Sequence, residues 1–198
     1  MIKEKFLELT LGFIKKYNSY SKKEERMLLY GLEGLYLTIT KLIFILLLAL
    51  ILDIIKEVIL VMIMFNVIRY FGFGFHAEKS YECLIFSTVC FIFIPLIFIN
   101  IKINMNISLI ISLFCILNYV IFAPADTVKR PLFSKRKRII RKILTVLVGV
   151  IYTLVIVLID NSYVTSLILS VLVIQFIVIN PLTYMLFKQP YNNYKRIS

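Results

Sequence analysis

Between Met27 and Phe187 the sequence returns repeatedly to long apolar runs, each separated from the next by a short polar link. A helix needs roughly 20 apolar residues to cross a bilayer, and this spacing predicts one membrane helix per run. From Met27 to Leu52 the chain is almost entirely apolar, broken by Glu33 and Lys41. Asp53 to Glu57 then form a polar break. The second run covers about Val58 to Phe71 and leads into Gly-Phe-Gly-Phe. The third covers Cys83 to Asn100, with a kink expected at Pro95 unless neighbours satisfy the freed carbonyl. Ile107 to Ala123 make a fourth run, stopped by Pro124. Ile143 to Ile159 make a fifth, and about Val164 to Phe187 a sixth. Glu33 and Lys41 are expected to look into the bundle or towards the interface, because a charge facing lipid is costly.

These runs predict an all-α integral membrane protein with six transmembrane helices. The composition agrees, at 61% hydrophobic and 17% charged, whereas soluble domains are about 45–50% apolar. Ile2, Phe6, Leu9, Phe13 and Tyr17 recur at spacings of three or four among lysines and glutamates, which predicts an amphipathic interfacial helix over residues 1–20. This start lacks the pattern of a cleaved signal peptide. Ser21-Lys-Lys-Glu-Glu looks like a helix start with acidic residues in its first turn. The expected organisation is one membrane domain over 1–198, with a six-span bundle at 24–187 and a cytoplasmic basic loop at 125–142.

Charge sets the expected orientation. With the N-terminus inside, the inner segments carry 20 of the 23 Lys and Arg residues. The outer links carry only Lys56 and Lys102. The positive-inside rule then places both termini in the cytoplasm. The net charge of +12 is read as this topology signal rather than as a nucleic-acid surface, since the basic residues flank apolar spans. Cys83, Cys90 and Cys115 lie in or beside apolar segments and form no CxxC pair. With one histidine in the chain, they predict neither a disulfide framework nor a zinc site, and no cofactor is expected.

The residues with chemical potential fall in one stretch, 69–93. His76 is the only histidine, and Cys83 follows it by seven residues. A thiol and an imidazole are the two groups of a cysteine nucleophile with its own base. On one straight helix they would share a face, yet their Cα atoms would be about 10.5 Å apart, beyond direct hydrogen bonding. Either the helix breaks between them, or a second copy of the chain supplies the histidine in a homodimer. Gly72 and Gly74 favour the break. Ser80 is an expected N-cap that would put Cys83 at the third helical position, where the positive end of the helix favours thiolate. Ser80, Ser87 and Cys90 fall near the same helical face and could line a polar groove, or could simply bond back to the helix. Glu78, Glu82 and Asp126 lie on the same side of the membrane, but no third member of a triad is evident. The bland alternative is an interfacial histidine and a packed cysteine.

His76-Ala77, Cys83 seven residues after the histidine, and Ser87 four after the cysteine resemble the active-site segment of the accessory gene regulator protein B (AgrB) family. Arg69 and Pro124-Ala-Asp-Thr-Val-Lys-Arg-Pro131 before a basic loop resemble it too. The adjacent glycines usual in that family are separated here by Phe73. The resemblance implies a membrane-embedded cysteine endopeptidase of Gram-positive quorum sensing, acting at the cytoplasmic face. It would cut the C-terminal part from an AgrD-type precursor peptide, with Cys83 as nucleophile and His76 as general base and acid. The thioester would then be closed into a thiolactone or lactone. Ser87, Lys129 and Arg130 are the expected substrate contacts, and the precursor and the lipid bilayer the expected partners. The alternatives are a transporter, with Glu33 and Lys41 marking a pathway, and a non-catalytic peptide-binding scaffold.

Overall fold

Polar residues at the edges of the apolar runs start and stop the helices. A computed structural model of the chain describes residues 2–17, 20–77, 79–127 and 131–195. Its helices are α1 (Ile2–Lys15), α2 (Lys22–Ile51), α3 (Ile55–Gly72), α4 (Ser80–Asn100), α5 (Met105–Phe122), α6 (Lys135–Ile159), α7 (Ser162–Ile179) and α8 (Pro181–Leu186), followed by a short 3-10 turn at Asn193–Lys195. Ser21 opens α2 as expected. Its hydroxyl accepts the Glu24 N–H at 3.4 Å while Glu24 accepts the Ser21 N–H at 2.8 Å, a reciprocal capping box. Asn104, Ser134 and Asn161 cap α5, α6 and α7 through their side-chain oxygens. Helix α6 thus begins at Lys135, so the second half of the basic segment is helical.

Five helices, α2, α4, α5, α6 and α7, are long and apolar enough to cross a membrane, as expected of a multi-pass membrane protein. Helix α3 also has 18 residues but carries Lys56 and Glu57 in its first turn and Arg69 in its last. Two expectations change at prolines. The sixth run does not stay helical to Phe187. Pro181 disfavours helical geometry at the residue before it, so Asn180 takes ψ 133° and caps α8 through a 2.9 Å bond to the Leu182 N–H. At Pro95, α4 continues without a break. A wider turn at Val89–Phe93, in which the Ile94 N–H reaches Val89, absorbs the proline's missing donor.

The chain forms two compact units, Met1–Leu48 and Ala49–Ser198. In the first, α1 runs back along α2. Lys3 pairs with Glu33 and Lys15 with Glu25, and the Phe6 and Tyr36 rings meet at 5.3 Å. Glu33 therefore sits in a half-exposed helix-to-helix ion pair. In the second unit α7 is the central helix, packed by α3, α4, α5 and α6. Of its residues 67% are buried, against 28% or less in the other four spans. Tyr119 of α5 is fully buried and donates to the Leu172 carbonyl of α7 at 2.6 Å. Tyr152 of α6 reaches the Met64 carbonyl of α3 at 2.8 Å.

Candidate active site

Helix α3 ends where two neighbours leave no room for a Cβ. At Gly72 a Cβ would lie 2.4 Å from Gln175 Nε2 and 3.0 Å from Thr145 Cγ2. Phe73 then turns the chain with φ 52°, and Gly74 follows with φ 128°, conformations outside the range of ordinary helix or strand. The segment that emerges is held from several directions. The Gly74 N–H donates to the Ala125 carbonyl at 2.9 Å, and the Ala125 N–H returns a bond to Gly72 at 3.1 Å. The Phe75 N–H donates to the Val178 carbonyl at 2.8 Å. Gln175 Nε2 donates to the Phe73 carbonyl at 3.3 Å, and Arg69 Nη2 to the Phe75 carbonyl at 2.9 Å.

Side chains fix the sense of this loop. Phe75 is buried, with its ring 4.6 Å from Phe187, 5.2 Å from Phe86 and 5.8 Å from Tyr184. Ala77 is also buried. His76 lies between the two and is exposed. Anchoring the residues on both sides turns the imidazole outward.

The helix break expected between His76 and Cys83 is present, in the chain from Phe73 to Lys79. The cap is displaced by one residue from expectation. Lys79, with φ −86° and ψ 138°, is the N-cap, and Ser80 is the first helical residue without a capping side-chain bond. Cys83 is therefore the fourth helical residue, and its N–H donates to the Lys79 carbonyl at 3.1 Å. The half-buried Cys83 side chain packs at the edge of the apolar core. Helical side chains lean towards the N-terminus, which tilts the thiol back towards the loop that carries His76. Ser87 follows one turn later on the same face and is buried.

The Arg69 guanidinium lies 5.5 Å from the Phe65 ring. At the mouth of α4, the Tyr81 hydroxyl and then Glu82 hold the Lys79 ammonium above the usual lysine range. Asp126 is not free to orient a histidine. Its Oδ1 accepts the Asn193 N–H at 2.9 Å, and its Oδ2 accepts those of Tyr194 at 2.9 Å and Leu132 at 3.3 Å. Glu82 pairs with Lys79 at 3.5 Å. Glu78, Lys129 and Arg130 lie outside the described residues. Further along the basic segment, Arg141 donates to the Tyr70 carbonyl at 2.7 Å and lies 4.3 Å from the Phe73 ring. Among the described residues no group of three or more His, Cys, Asp or Glu side chains could hold a metal ion.

Sequence reasoning did not find Gln175, Ala125 or Val178 as anchors of this loop. Gln175 had a signal, because a glutamine inside an otherwise apolar run needs a polar partner. Backbone anchors such as Ala125 and Val178 carry none.

A family model, accessory gene regulator B, matches residues 8–179 of the chain. An AgrB-like protein of Listeria innocua serovar 6a is 35% identical over 170 residues, covering 84% of this chain and 82% of that protein. An AgrB-like protein of Listeria monocytogenes serotype 4b is 34% identical over 167 residues, with the same coverage. Accessory gene regulator protein B of a bovine Staphylococcus aureus strain is 38% identical over 90 residues, covering 44% of this chain and 48% of its own. No solved structure matches.

Proposed function

Because the chain belongs to the accessory gene regulator B family, we propose that it is a membrane-embedded cysteine endopeptidase that processes an AgrD-type precursor peptide. The observation that carries this reading is the break between α3 and α4. It leaves the single histidine exposed on a firmly held loop, directly before the helix that bears Cys83.

In this reading His76 takes the proton from the Cys83 thiol as the sulfur attacks the scissile carbonyl carbon. The same proton then passes to the departing amine, and the C-terminal part of the precursor leaves. The acyl group stays on Cys83 as a thioester. A cysteine or serine side chain of the bound peptide attacks that carbonyl, closes a thiolactone or lactone ring and frees the thiol. Arg69, held at 2.9 Å on the Phe75 carbonyl next to His76, brings a positive charge to the loop, which stabilises negative charge as it develops there. The aromatic floor of Phe75, Phe86 and Phe187 keeps water sparse on that side, which prolongs the life of a thioester. Ser87, one turn below Cys83, orients the acyl group. Lys129 and Arg130 hold the acidic C-terminal part of the precursor.

The same reading takes α3 as a sixth span. Its end charges, Lys56, Glu57 and Arg69, then lie at the two membrane surfaces, with both termini and the catalytic pair on the cytoplasmic side. Helix α1 is the interfacial element that meets the amphipathic part of the precursor.

The test is co-expression with the precursor encoded beside this gene, read by mass spectrometry for wild type, Cys83→Ala and His76→Ala. The cleaved peptide should vanish in both variants, and a precursor fragment should remain covalently attached to the wild type. Cleavage that survives Cys83→Ala would overturn the proposal and return the stretch to a packing role.

A further inference from the structure

The segment after α8 lies beyond the last apolar run, where polar connecting residues ordinarily carry few anchors. Here it is tied down. Asn193 is only 3% exposed. Its N–H and that of Tyr194 donate to the two oxygens of Asp126, each at 2.9 Å. Asn193 Nδ2 adds a bond to the Pro190 carbonyl at 2.9 Å, and the Tyr191 hydroxyl one to the Phe122 carbonyl at 3.1 Å. The Arg138 guanidinium stacks 3.7 Å from the Tyr194 ring. A buried carboxylate is tolerated only when its oxygens are satisfied. Asp126, 2% exposed, is satisfied by backbone donors at Leu132, Asn193 and Tyr194.

The position of Asp126 gives this clasp its meaning. One residue earlier, Ala125 exchanges backbone bonds with Gly72 and Gly74 and so sets the path of the loop to His76. The Tyr184 hydroxyl lies 3.3 Å from the carbonyls of both Ala125 and Asp126 and so braces the two residues together. We infer that Asp126 is a positioning residue through which the docked C-terminal segment, residues 190–194, holds the catalytic loop in its working geometry. It touches no substrate and acts through Ala125. The inference rests on the peptidase reading above. It predicts a C-terminal segment needed for the rate of acylation rather than for capture of the precursor.

The experiment uses the full chain in lipid vesicles with the precursor, following the single-turnover rate of Cys83 acylation and the precursor concentration at half-maximal rate. The variants are a chain ending at Gln189, Asp126→Ala, Asp126→Asn, Tyr194→Ala and Cys83→Ala. The chain ending at Gln189 and Asp126→Ala should acylate roughly 100-fold more slowly, the scale of a misplacement of about 1 Å, at an unchanged half-maximal concentration. Asp126→Asn keeps one acceptor oxygen and should recover part of the rate. A synthetic peptide of residues 190–198 should restore the shortened chain. If the shortened chain fails to insert, Asp126→Ala and Asp126→Asn decide the matter through the same two quantities, while Tyr194→Ala, which loses only the ring against Arg138 and keeps its N–H on Asp126, should stay close to wild type. Wild-type acylation without the segment overturns the inference, as does a loss that lies only in the half-maximal concentration. Cleavage by Cys83→Ala instead overturns the peptidase reading itself, so the two failures are distinguishable.

Discussion

Gly74 should be the least replaceable residue of the His76 loop. At φ 128° it occupies a region that residues with a Cβ rarely adopt, and forcing alanine there costs on the order of 1–3 kcal/mol. A Cβ would also stand 2.3 Å from Val178 Cγ1, 2.9 Å from the Val178 carbonyl oxygen and 3.2 Å from its carbon. The methyl group can rotate away. The carbonyl cannot, because it belongs to the last turn of α7 and accepts the Phe75 N–H at 2.8 Å. Such overpacking adds about 1–3 kcal/mol, for a total of about 2–6 kcal/mol. Releasing the loop instead loses the Gly74 and Phe75 N–H bonds and the Arg69 bond to the Phe75 carbonyl, at about 0.5–1.5 kcal/mol each, and the burial of Phe75, about 1.5–3 kcal/mol, for about 3–7.5 kcal/mol. The two ranges overlap, so Gly74→Ala should let the loop come away while the helices stay packed. Cleavage should fall at least tenfold, because even the low end of about 2 kcal/mol exceeds the roughly 1.4 kcal/mol that corresponds to a factor of ten. The assay is cleavage of co-expressed precursor by mass spectrometry, beside a thermal melt of the purified protein, whose midpoint should fall by several degrees while the helical signal below the transition stays unchanged. Adding Val178→Ala removes the methyl contact but not the carbonyl, and should restore only part of the activity. Wild-type cleavage by Gly74→Ala, or full recovery in the double variant, would refute the reasoning.

At Gly72 the obstructing atom is the end of a flexible side chain, Gln175 Nε2. Gly72→Ala should therefore be milder than Gly74→Ala in the same cleavage assay. Arg69→Lys keeps the charge but loses the fork that reaches the Phe75 carbonyl; precursor cleavage should drop with no change in membrane insertion. Tyr119→Phe removes a fully buried 2.6 Å bond between α5 and α7 that involves no residue of the His76 loop, so it should lower thermal stability by about 1 kcal/mol and leave cleavage unchanged. Burial pushes the Tyr191 phenol from its ordinary 10.0 up to about 12. The docked state therefore holds that proton more tightly, so docking is fully favoured below pH 10 and weakens as the pH climbs towards 12. Tyrosinate absorbance should show a phenol titrating late in that window, and Tyr191→Phe should remove it.

The apolar runs were legible because each needs its own internally bonded backbone, and Ser21 marked the start of α2 with a side chain that can cap, whereas the caps at Asn104, Ser134 and Asn161 emerged only in the fold. The break after α3 was legible for a similar reason, since Gly72 and Gly74 permit backbone that other residues resist. Its closing edge was misplaced by one residue because Ser80 makes no capping bond and Lys79 takes the extended geometry instead. What holds the loop was not legible. Ala125, Val178 and Gln175 lie about 50 to 100 residues further along the chain, and two of the three contribute only backbone atoms, which any residue could supply.

The glycine spacing shows how far such distant partners reach back into the sequence. Read alone, Gly72-Phe73-Gly74 is a glycine pair interrupted by a bulky residue. In the fold each glycine answers to a different neighbour, Gly72 to the Gln175 and Thr145 side chains and Gly74 to the Val178 backbone. Phe73 between them has its own duties. Its carbonyl accepts from Gln175, and its ring lies 4.3 Å from the Arg141 guanidinium. Two adjacent glycines would leave Arg141 without that ring. The Phe73 position therefore ties the start of α6 to the loop that presents His76, and the interrupted pair follows from α6 and α7 closing on the end of α3 from two sides.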